Sequence, residues 1–168
     1  LDALPRAFVV PDSRVVQDDR AALRAMEDPS FDPTSEVVLQ SDDDLCSVQG
    51  IERASPSEST AGLGEPASSE ATIIDYRPER VVIEADLDEA GCLVLSDAWY
   101  PGWRATVDGN GVDVCRADLL FRAVALDPGE HRVVFSFRPF SQVLGGMISV
   151  IGLILLLFVP GPVVRYLS

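Results

Sequence analysis

His131 is the sole histidine of this 168-residue chain, so any Ser-His-Asp nucleophilic system would have to be built on it. No Gly-x-Ser-x-Gly turn is present. His131 falls in an alternating pattern directly after Pro128-Gly129, which reads as an edge or core histidine. Zinc needs three or four His, Cys or acid ligands converging, and one His with the scattered Cys46, Cys92 and Cys115 does not supply them. Those cysteines form no Cys-x-x-Cys. Cys92 and Cys115 fall on neighbouring predicted strands, where they either bridge in an oxidising compartment or stay as two small thiols.

Acids are abundant but poorly patterned for chemistry. Asp42-Asp43-Asp44 lacks the alternation, the central Gly and the closing Glu of a calcium loop, and reads as a solvated run. Gly62-Leu63-Gly64 has no helix after it to cradle a phosphate. Asp86, Asp88 and Glu89 offer paired carboxylates of the kind glycoside hydrolysis uses, or simply a solvated hairpin. Trp99, Tyr100 and Trp103, bent around Pro101-Gly102, are open to three roles: core packing, contact at a membrane interface or helix bundle, and stacking on a sugar ring.

The elements that must position these residues follow from periodicity. Trp103/Ala105/Val107 alternate against Arg104/Thr106/Asp108, and Val81/Ile83/Ala85/Leu87 against Glu84/Asp86. Strands are expected over 72–76, 80–87, 92–97, 103–108, 112–115, 121–126 and 131–138. The joints are short and turn-rich; Asp108-Gly109 and Asn110-Gly111 favour positive φ and hence hairpins. Seven short strands without a βαβ rhythm predict a mainly β fold, an antiparallel β-sandwich of jelly-roll or immunoglobulin-like type over 71–139. Residues 1–40 read as a short strand-helix-strand segment joining it. That segment has a strand ended by Pro11, a helix over 20–27 capped at Asp18-Asp19 with Ala22, Leu23 and Met26 on one face, and a strand over 35–40. Residues 41–70 hold seven Ser and seven acids against one Arg, and are expected to be an acidic, Ser-rich flexible linker.

The totals bound the partners. All 13 basic residues are Arg, against 27 acids, for a net charge of −14. Only Arg165 follows residue 139, so residues 1–139 hold 12 Arg against 27 acids, a net −15. That sign excludes nucleic acid as a partner and disfavours a peripheral helix on anionic lipid. The first residue is Leu, which fits a processed chain or a piece of a longer protein.

Residues 139–164 are 26 positions without a charge. About 20 apolar residues span a bilayer, so one C-terminal transmembrane helix is expected at 140–164, with 165–168 as a tail. Gly145, Ser149 and Gly152 place small residues on one stripe of that helix, where another helix can approach. Charge counting leaves the orientation open, because long folded domains cross irrespective of charge.

Three stretches together resemble a known family: Leu4-Pro5-Arg6-Ala7; Leu95-Ser96-Asp97-Ala98-Trp99-Tyr100-Pro101-Gly102-Trp103-Arg104-Ala105-Thr106-Val107-Asp108-Gly109; and Phe121-Arg122-Ala123-Val124 with Pro128-Gly129-Glu130-His131 and Arg138-Pro139. They are similar to the carboxy-terminal region of the YfhO family of bacterial multi-pass membrane proteins, over most of 71–168 and more thinly over 1–40. The resemblance implies a parent akin to GT-C glycosyltransferases, which take sugar from a polyprenyl-phosphate carrier and modify cell-envelope polymers. No position matches the family's early catalytic loop, so it implies no catalytic residue and no cofactor in this chain. It further implies cell-membrane location, an extracytoplasmic β-domain, a cytoplasmic C-terminus, and as partners the lipid bilayer, other membrane helices of the parent, and envelope glycan. A membrane-anchored carbohydrate-binding module and a purely structural sandwich are the alternatives.

Overall fold

Period-two alternation puts apolar side chains on one face of each strand, and the strands bury those faces by packing two sheets together. The computed structural model describes residues 4–40, 69–138 and 140–158, with backbone alone at 140–144 and 157–158. Contacts divide the chain into two units, Leu1–Phe137 and Arg138–Ser168. The linker expected at 41–70, apart from 69 and 70, lies outside the described residues. So do Asp42–Asp44, Gly62–Gly64 and the tail at 165–168.

The elements of the first unit are β1 (Ala7–Val10), β2 (Asp12–Val16), α1 (Asp19–Met26), β3 (Glu36–Gln40), β4 (Glu70–Arg77), β5 (Arg80–Leu87), β6 (Gly91–Leu95), β7 (Trp103–Val107), β8 (Asn110–Val112), β9 (Cys115–Ala117), β10 (Phe121–Leu126) and β11 (Gly129–Phe137). One sheet has the order β1-β6-β10-β9-β3-β2 and the other β4-β5-β11-β7-β8. Six of the seven strands expected after residue 70 form with ends shifted by no more than two residues. The seventh, expected over 112–115, is two strands. β8 ends in the second sheet at Val112 and β9 starts in the first at Cys115, so Asp113-Val114 is the crossing between sheets.

The N-terminal segment carries one strand more than the strand-helix-strand expected of it. β1 ends before Pro11, and a further strand, β2, follows directly and pairs with β3 in parallel, Asp12 opposite Glu36 through Val16 opposite Gln40. Parallel neighbours need a crossover, and α1 supplies it. Its N-cap is Asp18, whose carboxylate accepts from the Ala21 N–H at 2.7 Å. Ala22 and Ala25 are its buried residues, while Leu23 faces solvent.

Between the sheets lies the main core, which includes Ile83, Leu87, Leu93, Leu95, Val124, Val133 and Phe135. The first sheet is also buried on its other face, around Val10, Leu39, Cys92, Val94 and Ala123. Positive φ occurs in the two-residue β7–β8 turn at Asp108-Gly109, as the sequence signals, and in the three-residue β9–β10 turn at Asp118-Leu119, where it does not; the two-residue β4–β5 turn at Pro78-Glu79 has none.

In the second unit α2 runs Phe140–Phe158. The expected transmembrane helix over 140–164 is not supported. Among the described residues no helix is long and apolar enough to cross a membrane. The nineteen described residues of α2 rise about 28 Å against the ~30 Å of a hydrocarbon core. Positions 159–164 lie outside the described residues.

Candidate functional site

Trp103 opens β7, and the alternation that turns Ala105 inward turns the indole inward too, leaving it 9% exposed. The Pro101-Gly102 corner, with Gly102 at φ 110°, folds Tyr100 back over the same ring. Tyr100 meets Trp103 edge-on at 6.0 Å and Phe137 at 5.1 Å, and Trp103 lies 5.4 Å from Phe137. Tyr100 remains 43% exposed. Trp99 is half-buried; its backbone N–H donates to the Leu120 carbonyl at 2.6 Å, and the Arg116 guanidinium lies 6.0 Å from its ring. The three aromatics therefore do not form one flat platform.

Beneath them sits a charge that no motif announced. Arg122, on β10, shares its inward face with Val124 and Leu126 and is 2% exposed. Its guanidinium stacks 3.7 Å from the Trp103 centroid and donates from Nη2 to Asp97 at 2.9 Å. Nε and Nη1 of Arg122, and Nε1 of Trp103, have no hydrogen-bond partner among the described residues. The ring's negative face offsets part of that loss. Burial pushes the Arg122 guanidinium below its ordinary value, with Asp97 opposing. Asp97 also accepts from Arg6 at 2.9 Å and from the Tyr76 hydroxyl at 3.2 Å, while Arg6 lies over the Tyr76 ring at 4.2 Å. One carboxylate thus ties β1, β4, β6 and β10 together at one end of the sandwich.

At the opposite end, His131 is held by two acceptors. Nδ1 donates to Asp108 Oδ2 at 2.8 Å and Nε2 faces the Asp127 carbonyl at 3.0 Å. Only the imidazolium satisfies both. The Asp108 hydrogen bond accordingly raises the His131 pKa, against a smaller burial effect. Asp108 accepts the Arg132 N–H at 2.8 Å, which, with His131, holds its carboxyl below the usual range. Nearby is an open depression of about 580 Å³, lined by Glu70, Glu84, Asp86, Asp108, Glu130, His131 and Arg132 among others. No serine bonds to His131 among the described residues, which leaves it a pin for the β7–β8 hairpin. Of the candidate carboxylates, Asp86 lines the depression; Asp88 and Glu89 lie in the β5–β6 connection outside that lining.

Cys92 is a free, buried thiol and Cys115 is disulfide-bonded, so the Cys92–Cys115 bridge does not form. The two sit on β6 and β9 with β10 between them. Two strand spacings, about 9.6 Å, exceed the Cα separation a disulfide tolerates. Among the described residues no group of three His, Cys or acids is placed to hold a metal. On α2, a Cβ at Gly145 or Gly152 would meet nothing within 4 Å, and the Ser149 hydroxyl bonds back to the Gly145 carbonyl at 2.9 Å. The stripe has no packing partner among the described residues.

No curated relative and no solved structure matches the chain. The sequence profile of one family, described as bacterial membrane protein YfhO, matches residues 64–149, from just before β4 to the middle of α2. That is 86 of 168 residues, more than half the chain, and it takes in the Asp97–Trp103 corner, Arg122 and His131. The chain therefore belongs to the YfhO family of bacterial membrane proteins.

Proposed function

We propose that this chain forms a non-catalytic, extracytoplasmic β-domain of a YfhO-type membrane glycosyltransferase, one that draws sugar from a polyprenyl-phosphate carrier and modifies cell-envelope polymers. The observation that carries the non-catalytic reading is the burial of Trp103 over Arg122: the corner spends its aromatic and charged groups on locking the sheets. The catalytic acid comes from polypeptide other than the described residues. The disulfide at Cys115 supports an oxidising, extracytoplasmic compartment. A sugar platform is less well supported, because of the three aromatics only Tyr100 is exposed and its ring stands edge-on to its neighbours.

Deleting the gene that encodes the chain and profiling sugar substituents on the envelope polymers tests the reading. Loss of one substituent, restored by the intact gene, is expected; an unchanged profile overturns it. Protease added to intact spheroplasts tests orientation independently, with cleavage inside 71–137 expected before lysis.

A further inference from the structure

Asn110 is the sole asparagine of the chain, and a glycine follows it. The hairpin joining β7 to β8 decides how open this pair is to chemistry. Asp108 at φ 52° and Gly109 at φ 85° make the two-residue turn, so Val107 and Asn110 are the pair that exchanges backbone hydrogen bonds. The other flank agrees. The Asp108 N–H donates to the Arg132 carbonyl on β11 at 3.0 Å, which leaves the N–H and carbonyl of Val107 facing β8. Bonding alternates along an antiparallel ladder, so the next pair, Thr106 and Gly111, is a non-bonded one. β8 is the last strand of its sheet. The Gly111 N–H therefore points outward from the sheet edge, away from the ladder. Asn110 and Gly111 are both exposed, and a Cβ at Gly111 would meet nothing within 4 Å. The Asn110 carboxamide has no hydrogen-bond partner among the described residues.

An asparagine amide beside an unhindered backbone N–H has a reaction of its own. The Gly111 nitrogen gives up its proton and attacks Asn110 Cγ. The N–Cγ bond forms, the Cγ–Nδ2 bond breaks, and Nδ2 leaves as ammonia with that proton. Water then opens the five-membered imide on either side. Attack at Cγ gives aspartate; attack at the former backbone carbonyl gives isoaspartate, with the chain rerouted through Cβ and Cγ. The ring closes only when Asn110 turns out of the extended conformation, and a three-residue strand at a sheet edge opposes that little.

The neighbouring Asp108-Gly109 has the same spacing but is locked. Both carboxylate oxygens of Asp108 are held, Oδ2 by His131 at 2.8 Å and Oδ1 by the Arg132 N–H at 2.8 Å. Its carboxyl, kept below the ordinary value chiefly by that N–H, stays ionised and is a poor electrophile.

We infer that Asn110 is a site of spontaneous modification, deamidating through a succinimide formed with Gly111 to aspartate and isoaspartate. Isoaspartate adds a carbon to the backbone and a carboxylate to the sheet edge. Val112, opposite Ala105 and packed against the main core, then loses its register. The hairpin that carries the Asp108–His131 pair thus loosens with age. This rests on the hairpin alone and is independent of the proposed function.

The test incubates the folded full chain at mildly acidic and mildly alkaline pH over days, beside a sample in denaturant. Peptide mass spectrometry reads the amide-to-acid change at Asn110, and an aspartate-specific protease separates aspartate from its isomer. Conversion of the folded chain is expected at Asn110, faster at the higher pH, with Asp108 left unisomerised. Gly111→Ala, which the open space admits, should slow conversion severalfold because the added methyl crowds the attacking nitrogen. Full retention of the amide in the folded chain overturns the inference, and conversion in denaturant alone would trace the protection to the hairpin. Equal rates in the wild type and Gly111→Ala, or isomerisation of Asp108 at the same pace, overturn it as well.

Discussion

The guanidinium carbon of Arg122 lies 3.7 Å from the centroid of the Trp103 ring, and both side chains are buried between the two sheets. Their shared anion, Asp97, is also bonded by Arg6 and Tyr76. The two ends of the Arg122–Asp97 bridge are therefore unequal. Removing Asp97 strands a buried cation, whereas removing Arg122 leaves Asp97 with two donors.

Asp97→Ala is expected to cost about 3–5 kcal/mol of unfolding free energy. Arg122→Met keeps an apolar stem against Trp103 and should cost less than about 2 kcal/mol. Denaturant titration followed by tryptophan emission checks the order. Equal losses would mean that Asp97 does not serve both arginines.

The second prediction concerns pH. His131 has its pKa raised above the ordinary 6.5, chiefly by Asp108, so its contribution is complete below about 6.5 and fades as pH rises through the raised folded value. Asp108 has its pKa lowered below 3.8, so its contribution is present above that value and fades as pH falls through the lowered one. The pair is strongest between about pH 4 and 6.5. Asp108→Asn should lower the melting temperature most in that window and less at pH 8. A loss that is flat with pH would show that the backbone bond to Arg132, not His131, is the part that matters.

How far the sequence foretold this structure can be judged from particular residues. The Val81/Ile83/Ala85/Leu87 and Trp103/Ala105/Val107 alternations fixed two strands and their inward faces, because a period of two admits no other placement. Arg122 was equally readable, at i with Val124 and Leu126 at i+2 and i+4, yet an arginine in an inward register is easily set aside as a strand end. Its acid could not be found from sequence alone, since Asp97 lies 25 positions away and meets it only when β6 and β10 pair. The parallel β2–β3 pair was hidden by reading Pro11 as the end of one strand instead of the break between two. At the carboxy terminus, the uncharged run predicted a longer span than the described residues of α2 provide.

Gly91 opens β6 beside the end of β1. A Cβ there would sit 2.8 Å from the Val10 carbonyl oxygen and 3.2 Å from Val9 Cγ1. The first obstacle is backbone, which cannot swing aside. Gly91→Ala should therefore destabilise by about 1–3 kcal/mol, while Gly111→Ala, where a Cβ meets nothing within 4 Å, should cost less than about 1 kcal/mol. Equal midpoints in a denaturant series would show that β1 can shift outward without loss.

The cysteines give the last prediction, and it bears on compartment as well as on fold. Cys92 is buried and its thiol is pushed up to about 11 by desolvation, from an ordinary 9.0. Two units on that scale leave about a hundredfold less thiolate at neutral pH. Cys115 is disulfide-bonded. Iodoacetamide on the folded, unreduced chain should therefore modify neither residue within the time that fully labels a model thiol. Unfolding without reductant should expose Cys92 alone of the two, and reductant should then release Cys115. Mass spectrometry of the alkylated peptides reads each step. Alkylation of Cys115 in the unreduced chain isolated from its native membrane would remove the disulfide, and with it the support it lends to an oxidising compartment.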